Sequence, residues 1–478
     1  MYRVVQGDAN QTPDAQDFIH LLNNLTTHSL KTARELFHPG ADLFVGRAPG
    51  RLDVMGGIAD YSGSHVLEMP IAEATFVAVQ RSDERMLNII TSLVGEPHPD
   101  DPSHVAFKMA LSVFDGPIEY EAARQFFRQH SATHWSAYVA GVFLVLMRER
   151  NVSFTSGANI LISSRVPPGK GVSSSAALEV AVMEAVTAAF AVTIEARDKA
   201  LLSQTVENLV VGAPCGVMDQ MTAVFGESNQ LLLLLCQPAE IKRTITLPQE
   251  LMLWGIDSGI RHSVSGSDYG SVRAGAFMGL RIIADLIGDG RAVKYLANIS
   301  PGEFERDYLA QLPERMAGEE FLSRYKETID PVTSIDPQKV YAIRIPTAHP
   351  VYENARVLRF VELLDHCASG ASETHFIKLG ELMYESHRSY TALGLNSSGT
   401  DLIAELVRRE GPAAGLFGAK ITGGGSGGTV AVLGDQTSAA AIGRVAAAYA
   451  REAGHRPYIF HGSSPGSLAF GHLRLRAI

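Results

Sequence analysis

The sequence predicts an α/β (α+β) protein built as two domains with a cleft between them. Three observations predict it. The chain has 478 residues, 46% of them hydrophobic and 19% charged, which is enough for about two to four ordinary domains. Short β-rich runs alternate with longer helix-period patterns in both halves. Each half also carries one glycine- and serine-rich loop. The first domain is drawn over 1–245, with 1–40 as a helical preamble, and the second over 246–478. The softest boundary falls in the Pro238–Pro248 stretch.

Taken in order, Asp42–Val45 reads as a short strand running into a Gly/Pro-rich loop, and Val66–Gln80 as β-rich but interrupted by a polar turn. Gly95–His104, with its glycine, prolines and acids, reads as a surface loop. Helical spacing predicts a helix over Trp135–Arg148, alternation predicts a strand over Ala158–Ser164, and Ser175–Phe190 reads as an Ala-rich helix. Lys199–Leu209 and Val217–Phe225 are further helices; Leu231–Cys236 and Leu251–Ile256 are buried strands. The second half repeats the alternation: helix Val272–Ile287, a Pro-rich loop near 330–337, and helices to about 410. A Gly-rich turn at 423–428 then enters strand Thr429–Leu433 ahead of helix Ser438–Ala453.

Composition excludes several classes. The formal charge is −10 and no Lys/Arg run exceeds a pair such as Arg408–Arg409, so no nucleic-acid partner is expected. The apolar stretches Val139–Met147 and Leu231–Cys236 are too short to span a bilayer. Cys215, Cys236 and Cys367 have no metal-type spacing and leave one unpaired if two bridge, which suits a reducing compartment. Met1–Pro13 is polar and unlike a secretory signal, so a cytoplasmic location is expected.

Chemistry gathers in three segments. The first runs Pro167-Pro168-Gly169-Lys170-Gly171-Val172-Ser173-Ser174-Ser175-Ala176. Its glycines allow close approach to the backbone. Its hydroxyls precede a helix start, where free N–H groups and the helix dipole favour anions. Neither the Walker A nor the Rossmann spacing is present. The second is Thr422-Gly423-Gly424-Gly425-Ser426-Gly427-Gly428, which alone is also a fair flexible hairpin. The third runs from Arg47-Ala48-Pro49-Gly50-Arg51 to Gly56-Gly57-Ile58-Ala59-Asp60-Tyr61 and carries cations and one acid. Phosphoryl transfer needs a cation near the migrating charge and an acceptor for the attacking hydroxyl's proton. A candidate acceptor is Asp219, in Cys215-Gly216-Val217-Met218-Asp219-Gln220.

In this order the segments resemble the three signature motifs of the GHMP kinase superfamily, and specifically its galactokinase branch. That branch has a sugar signature close to G-R-A-P-G-R-x-N-L-I-G-E-H-x-D-Y, a phosphate loop P-x-G-x-G-x-S-S-S-A and a third motif T-G-G-G-x-G-G. Its C-G-x-M-D-Q stretch is matched here too. The resemblance implies a two-domain GHMP kinase fold with the active site in the interdomain cleft, ATP as donor, Mg2+ and a small-molecule sugar. By matching positions it assigns Asp219 and Arg51 to catalysis. It assigns Pro168, Gly169, Lys170, Gly171, Val172, Ser173, Ser174, Ser175, Gly424, Gly425, Ser426 and Trp135 to the nucleotide. Gly57, Ile58, Asp60, Gly216 and Tyr269 fall to the sugar, and Ser175 and Glu207 to magnesium. Glu385-Ser386-His387-Arg388 resembles a helix segment of the same branch and is read as structural.

The chain departs from that branch at Gly57-Ile58, where the pattern has Glu-His. In galactokinases the pair serves the hydroxymethyl end of galactose. L-Arabinose in its pyranose form is galactose without that group. The runs Gly50–Gly63 and Trp254–Val264, which includes Arg261-His262-Ser263, resemble the kinase domain of L-arabinokinases. The expected activity is phosphorylation of L-arabinose to β-L-arabinose 1-phosphate, with galactokinase activity as the alternative and a non-catalytic sugar and ATP sensor as a second. Ile58 is expected to fill the vacated space, and exchange of Gly57-Ile58 for Glu-His to turn preference toward galactose.

Overall fold

The structure is a computed structural model that describes residues 1–478 except 29–30, 94–105, 117, 130, 262–266, 289–292 and 371. Its strands are β1 (Tyr2–Gln6), β2 (Leu43–Met55), β3 (His65–Ser82), β4 (Met86–Leu93), β5 (Ala106–Ala110), β6 (Gly157–Ser164), β7 (Gln230–Leu235) and β8 (Glu240–Thr246). There follow β9 (Leu251–Asp257), β10 (Arg315–Ala317), β11 (Val340–Ala342), β12 (Leu416–Ile421), β13 (Thr429–Asp435), β14 (Ile459–His461) and β15 (His472–Ala477). The first sheet has nine strands, in the order β1-β15-β2-β3-β6-β4-β5, with β7 also on β3 and β8 on β7. The second runs β12-β13-β9-β14, and β10 and β11 form a small ribbon.

The 18-residue β3 is long because it serves two partners in succession. His65–Glu68 pairs with β7 and Thr75–Ser82 with β6, so the expected polar turn is replaced by one continuous strand. Pro70 lies between the two paired stretches, where its missing N–H leaves no gap in either ladder.

The Ala137–Arg150 and Ser174–Ala189 helices are apolar nearly all round, as helices packed inside a domain must be, and they share the core behind the first sheet. A second apolar cluster joins the halves: Leu52, Val54 and Met69 of the first sheet pack with Leu253, Phe417 and Phe460 of the second. Each such side chain contributes about 1.5–3 kcal/mol on full burial. That shared core fixes the two glycine loops relative to each other.

Three further sequence expectations change. The preamble 1–40 is not wholly helical, because β1 pairs with β15 ahead of the Pro13–Asn24 helix. The Gly/Pro-rich loop after Val45 is instead the body of β2, which keeps its ladder with β3 through register shifts at Pro49/Arg51 and Asp53/Met55. The helix read over Lys199–Leu209 stops at Thr205 and widens into a π-helical turn, Val206–Val211. The surface loop read over Gly95–His104 lies outside the described residues. His472–Ala477 returns to the first sheet, between β1 and β2.

Candidate active site

Arg51 is the centre of the site. It projects from β2 and is 3% exposed. Its Nε and Nη2 reach Asp219 Oδ1 at 2.8 and 2.7 Å, and its Nη1 donates to the Gly171 carbonyl at 2.7 Å. Its own N–H donates to Val172 O at 3.1 Å. One side chain therefore ties the third segment to the phosphate-type loop and to the acid at the start of the Met218–Phe225 helix. Burial opposes the guanidinium charge, but Asp219, Glu68 and Asp53 outweigh it and raise its hold on the proton. Both contacts fall on Oδ1, so Asp219 keeps its second oxygen without a partner among the described residues. Glu68 lies 3.3 Å from Arg51 Nε and is fully buried, which holds its carboxyl well above the ordinary range.

The loop between β6 and the Ser174–Ala189 helix has Gly169, Gly171 and Ser173 in the left-handed region, at φ of 70°, 71° and 68°. Serine there is costly, and such strain gathers at functional sites. Among the described residues Ser173 Oγ is buried with no partner, and so is Ser426 Oγ on the second glycine loop. The two loops touch: Thr429 Oγ1 donates to Lys170 O at 2.8 Å, while Lys170 Nζ pairs with Asp257 at 2.8 Å. Two unpartnered hydroxyls beside glycine-rich backbone and a helix N-terminus suit an anion.

Ser175 stands beside Glu207, which sits in the π-helical turn. Burial pushes Glu207 up to about 7, against the opposing pull of the neighbouring Ser175 hydroxyl. Gln220 Nε2 donates to Glu207 at 2.7 Å and to Glu179 at 3.2 Å. No group of three or more His, Cys, Asp or Glu residues could hold a metal among the described residues. A hydroxyl and a carboxylate are nonetheless a donor set that suits magnesium when phosphates and waters complete it.

Asp60, Gly216 and Tyr269 gather beside this cluster. Asp60 packs so closely on Gly216 that a Cβ there would lie 1.9 Å from Asp60 Oδ2, so only glycine fits. Burial first, and the Asp219 charge second, raise Asp60 to about 7 against the pull of Arg273. Ile58, Tyr61 and Tyr269 share one apolar cluster, with the Tyr61 and Tyr269 rings 6.3 Å apart. Trp135 lies in the turn before the Ala137–Arg150 helix and packs on the first core, and no hydrogen bond joins it to either loop among the described residues.

Sequence reasoning missed several residues. Arg273, one turn after Tyr269, stacks on Tyr61 and Phe277, pairs with Asp330 at 2.9 Å and leaves Nη1 buried without a partner among the described residues. Its i+4 spacing from Tyr269 was the available signal. Asp53 and Lys420 form a fully buried ion pair at 2.6 Å, linking the third segment to β12. Nothing in the spacing of two residues 367 positions apart announces that pair. The Glu385–Arg388 stretch does join helix to helix: Ser386 Oγ donates to Glu353 at 2.6 Å, and Glu385 pairs with Arg356 at 3.6 Å. Of the Arg261–Ser263 segment, residues 262–263 lie outside the described residues.

Comparison with known proteins places these segments in a family. The description of the GHMP kinases N terminal domain matches residues 137–227, that of the galactokinase galactose-binding signature 34–81, and that of the GHMP kinases C terminal 368–451. The L-arabinokinase of Arabidopsis thaliana is 43% identical across 99% of this chain. The chain spans about half the length of that relative, 52% of it. The galactokinase of Chloroflexus aggregans is 30% identical over 81% of this chain and 83% of its own length. Lactococcus lactis galactokinase complexed with galactose superposes with a TM-score of 0.72 at 19% identity, over 94% of this chain and 99% of that one. Methanococcus jannaschii mevalonate kinase does so with a TM-score of 0.51 at 14% identity, over 91% and 98%. These two likenesses establish the shared fold.

Proposed function

This chain belongs to the GHMP kinases, on the galactokinase-like branch, and from that membership we propose that it phosphorylates the anomeric hydroxyl of L-arabinose with ATP, giving β-L-arabinose 1-phosphate. The observation that carries the reading is Arg51, hydrogen-bonded at once to Asp219 and to the Gly171 carbonyl. A hydroxyl placed against Asp219 thereby lies next to a loop suited to phosphates. That is the positioning phosphoryl transfer requires.

The roles follow from the contacts. Asp219, with one oxygen held by Arg51, orients the attacking hydroxyl with the other and accepts its proton as the oxygen–phosphorus bond forms and ADP leaves. Arg51 stabilises charge that grows on the migrating phosphoryl group. Ser173 and the loop N–H groups hold phosphate oxygens from one side and Ser426 from the other. Ser175 and Glu207 would hold magnesium, which when bound offsets the charge of the phosphates. Asp60 accepts from ring hydroxyls, with Tyr269 and Arg273 beside it.

L-Arabinose is favoured over D-galactose by the absence of a polar side chain at Gly57 and Ile58 and by the Arabidopsis relative. The match to the galactose-binding signature supports galactose as the second reading. The test is kcat/KM for both sugars with ATP and magnesium in an ADP-coupled assay, alongside Asp219→Asn. A preference for L-arabinose above tenfold is expected, with a loss of about 10²–10⁴ in kcat for the variant while nucleotide affinity holds. A galactose preference would make the chain a galactokinase. No turnover of either would leave a sensor, which the intact Arg51, Asp219 and Ser173 argue against.

A further inference from the structure

The space beside Gly57 is already taken. A Cβ built on Gly57, whose φ is +48°, would meet the Tyr390 hydroxyl oxygen at 1.9 Å and Asp53 Oδ2 at 2.8 Å. Tyr390 comes from the Glu373–Ala392 helix and is fully buried. Its hydroxyl is committed on both sides: it accepts from the Ile58 N–H at 3.0 Å and donates to the Gly423 carbonyl at 2.8 Å. Asp53 accepts the Gly57 N–H at 3.0 Å and is itself fixed by Lys420. Lys420 Nζ lies 5.6 Å from the Tyr390 ring centroid. The ring is therefore held in one place by groups that cannot easily move.

This corrects the expectation for the pocket. Ile58 is 1% exposed and packs in an apolar cluster, but the room that a side chain at 57 would need is filled by Tyr390. Exchange of Gly57-Ile58 for Glu-His alone has nowhere to put the glutamate. A pocket that merely lacks a partner for a hydroxymethyl group discriminates weakly, whereas a wall excludes it.

We infer that Tyr390 is a specificity-determining residue for the sugar, closing the Gly57–Ile58 end of the pocket against any substituent on the ring carbon that faces it. The inference rests on the reading of that end as the sugar's hydroxymethyl side. Tyr390 takes both the volume and the Ile58 N–H donor that such a substituent would use. Pentopyranoses with galactose-like ring hydroxyls fit, and hexoses meet the Tyr390 hydroxyl. A buried tyrosine that served only to fill the core would not affect which sugar is used.

The experiment compares L-arabinose, D-galactose and 6-deoxy-D-galactose with wild type and Tyr390→Phe. The deoxy sugar has a methyl in place of the hydroxymethyl, so it separates a wall from a missing hydrogen-bond partner. With a wall, wild type disfavours it against L-arabinose by about tenfold or more, and Tyr390→Phe brings both hexoses closer to the pentose, chiefly through KM. Wild type that uses the deoxy sugar as well as L-arabinose overturns the inference without needing any variant. So does a folded Tyr390→Phe enzyme whose sugar ratios are unchanged. Wild type that turns over none of the three sugars instead sinks the sugar-kinase reading, and the specificity role with it.

Discussion

Asp60 sets a pH dependence that belongs to the sugar alone. Burial, then Asp219, raise it to about 7, with Arg273 and Arg51 pulling the other way. An ionised carboxylate accepts from two ring hydroxyls, while the protonated form is a poorer acceptor. At pH 6 only about one site in ten is ionised, so the sugar KM should climb as pH falls from 7.5 to 6 while the ATP KM changes little. Asp60→Asn should flatten that dependence, and initial-rate measurements across pH would check it. A sugar KM as flat in wild type as in the variant would take Asp60 out of sugar binding. The stability sign runs the other way. A carboxyl raised in the folded state favours folding below its unfolded value near 4, and that contribution is lost as pH rises through 7. Residues of this kind were legible in part. Asp60, Arg51 and Asp219 came from motifs and Arg273 had its helical spacing from Tyr269, whereas Asp53 and Tyr390 depend on contacts between distant parts of the chain, and no local pattern encodes those.

At the scale of the element, β2 shows why two arginines four residues apart do different work. Proline and glycine at 49 and 50 read as loop signals, but β2 absorbs them in a register shift between Pro49 and Arg51 that re-aims the strand. Beyond the shift Arg51 meets Asp219. Before it, Arg47 is fully buried, pairs with Asp14 at 2.8 Å, donates to the Pro465 carbonyl at 2.9 Å and lies against Phe76 and Phe470. Arg47 is thus a fastener between the Pro13–Asn24 helix, β2 and the chain's last segment. Truncating one member of a buried pair strands the other, at a cost of about 3–5 kcal/mol. Arg47→Met should lower stability by that order in urea unfolding, with kcat of the folded enzyme close to wild type. A large loss of kcat without a loss of stability would place Arg47 in the chemistry after all. Helices and buried strands were readable because periodicity reports burial. The strand through Pro49-Gly50 was not, because its pairing partners override local propensity.

At the scale of the molecule, the alternation of elements disclosed two α/β halves, but not how firmly they are joined. Devices that cross between the sheets include the shared cluster around Leu52, Met69, Leu253 and Phe417, the buried Asp53–Lys420 pair, and the hydrogen bond from Thr429 to Lys170 O. The last strand adds another. β15 lies between β1 and β2, with Leu473 and Leu475 fully buried, so the end of the chain completes the sheet in which it began. Halves joined this way should unfold together. The two tryptophans report on one half each, since Trp135 packs on the first core while Trp254 lies on β9 of the second sheet. Urea unfolding followed in Trp135→Phe and Trp254→Phe should give coincident midpoints once each variant's own stability is measured by circular dichroism. Leu475→Ala should lower both midpoints, by an amount equivalent to about 2–5 kcal/mol. If only the Trp135 signal shifted, the two halves would be independent folding units. The cleft would then be held by ligands and not by the protein's own core.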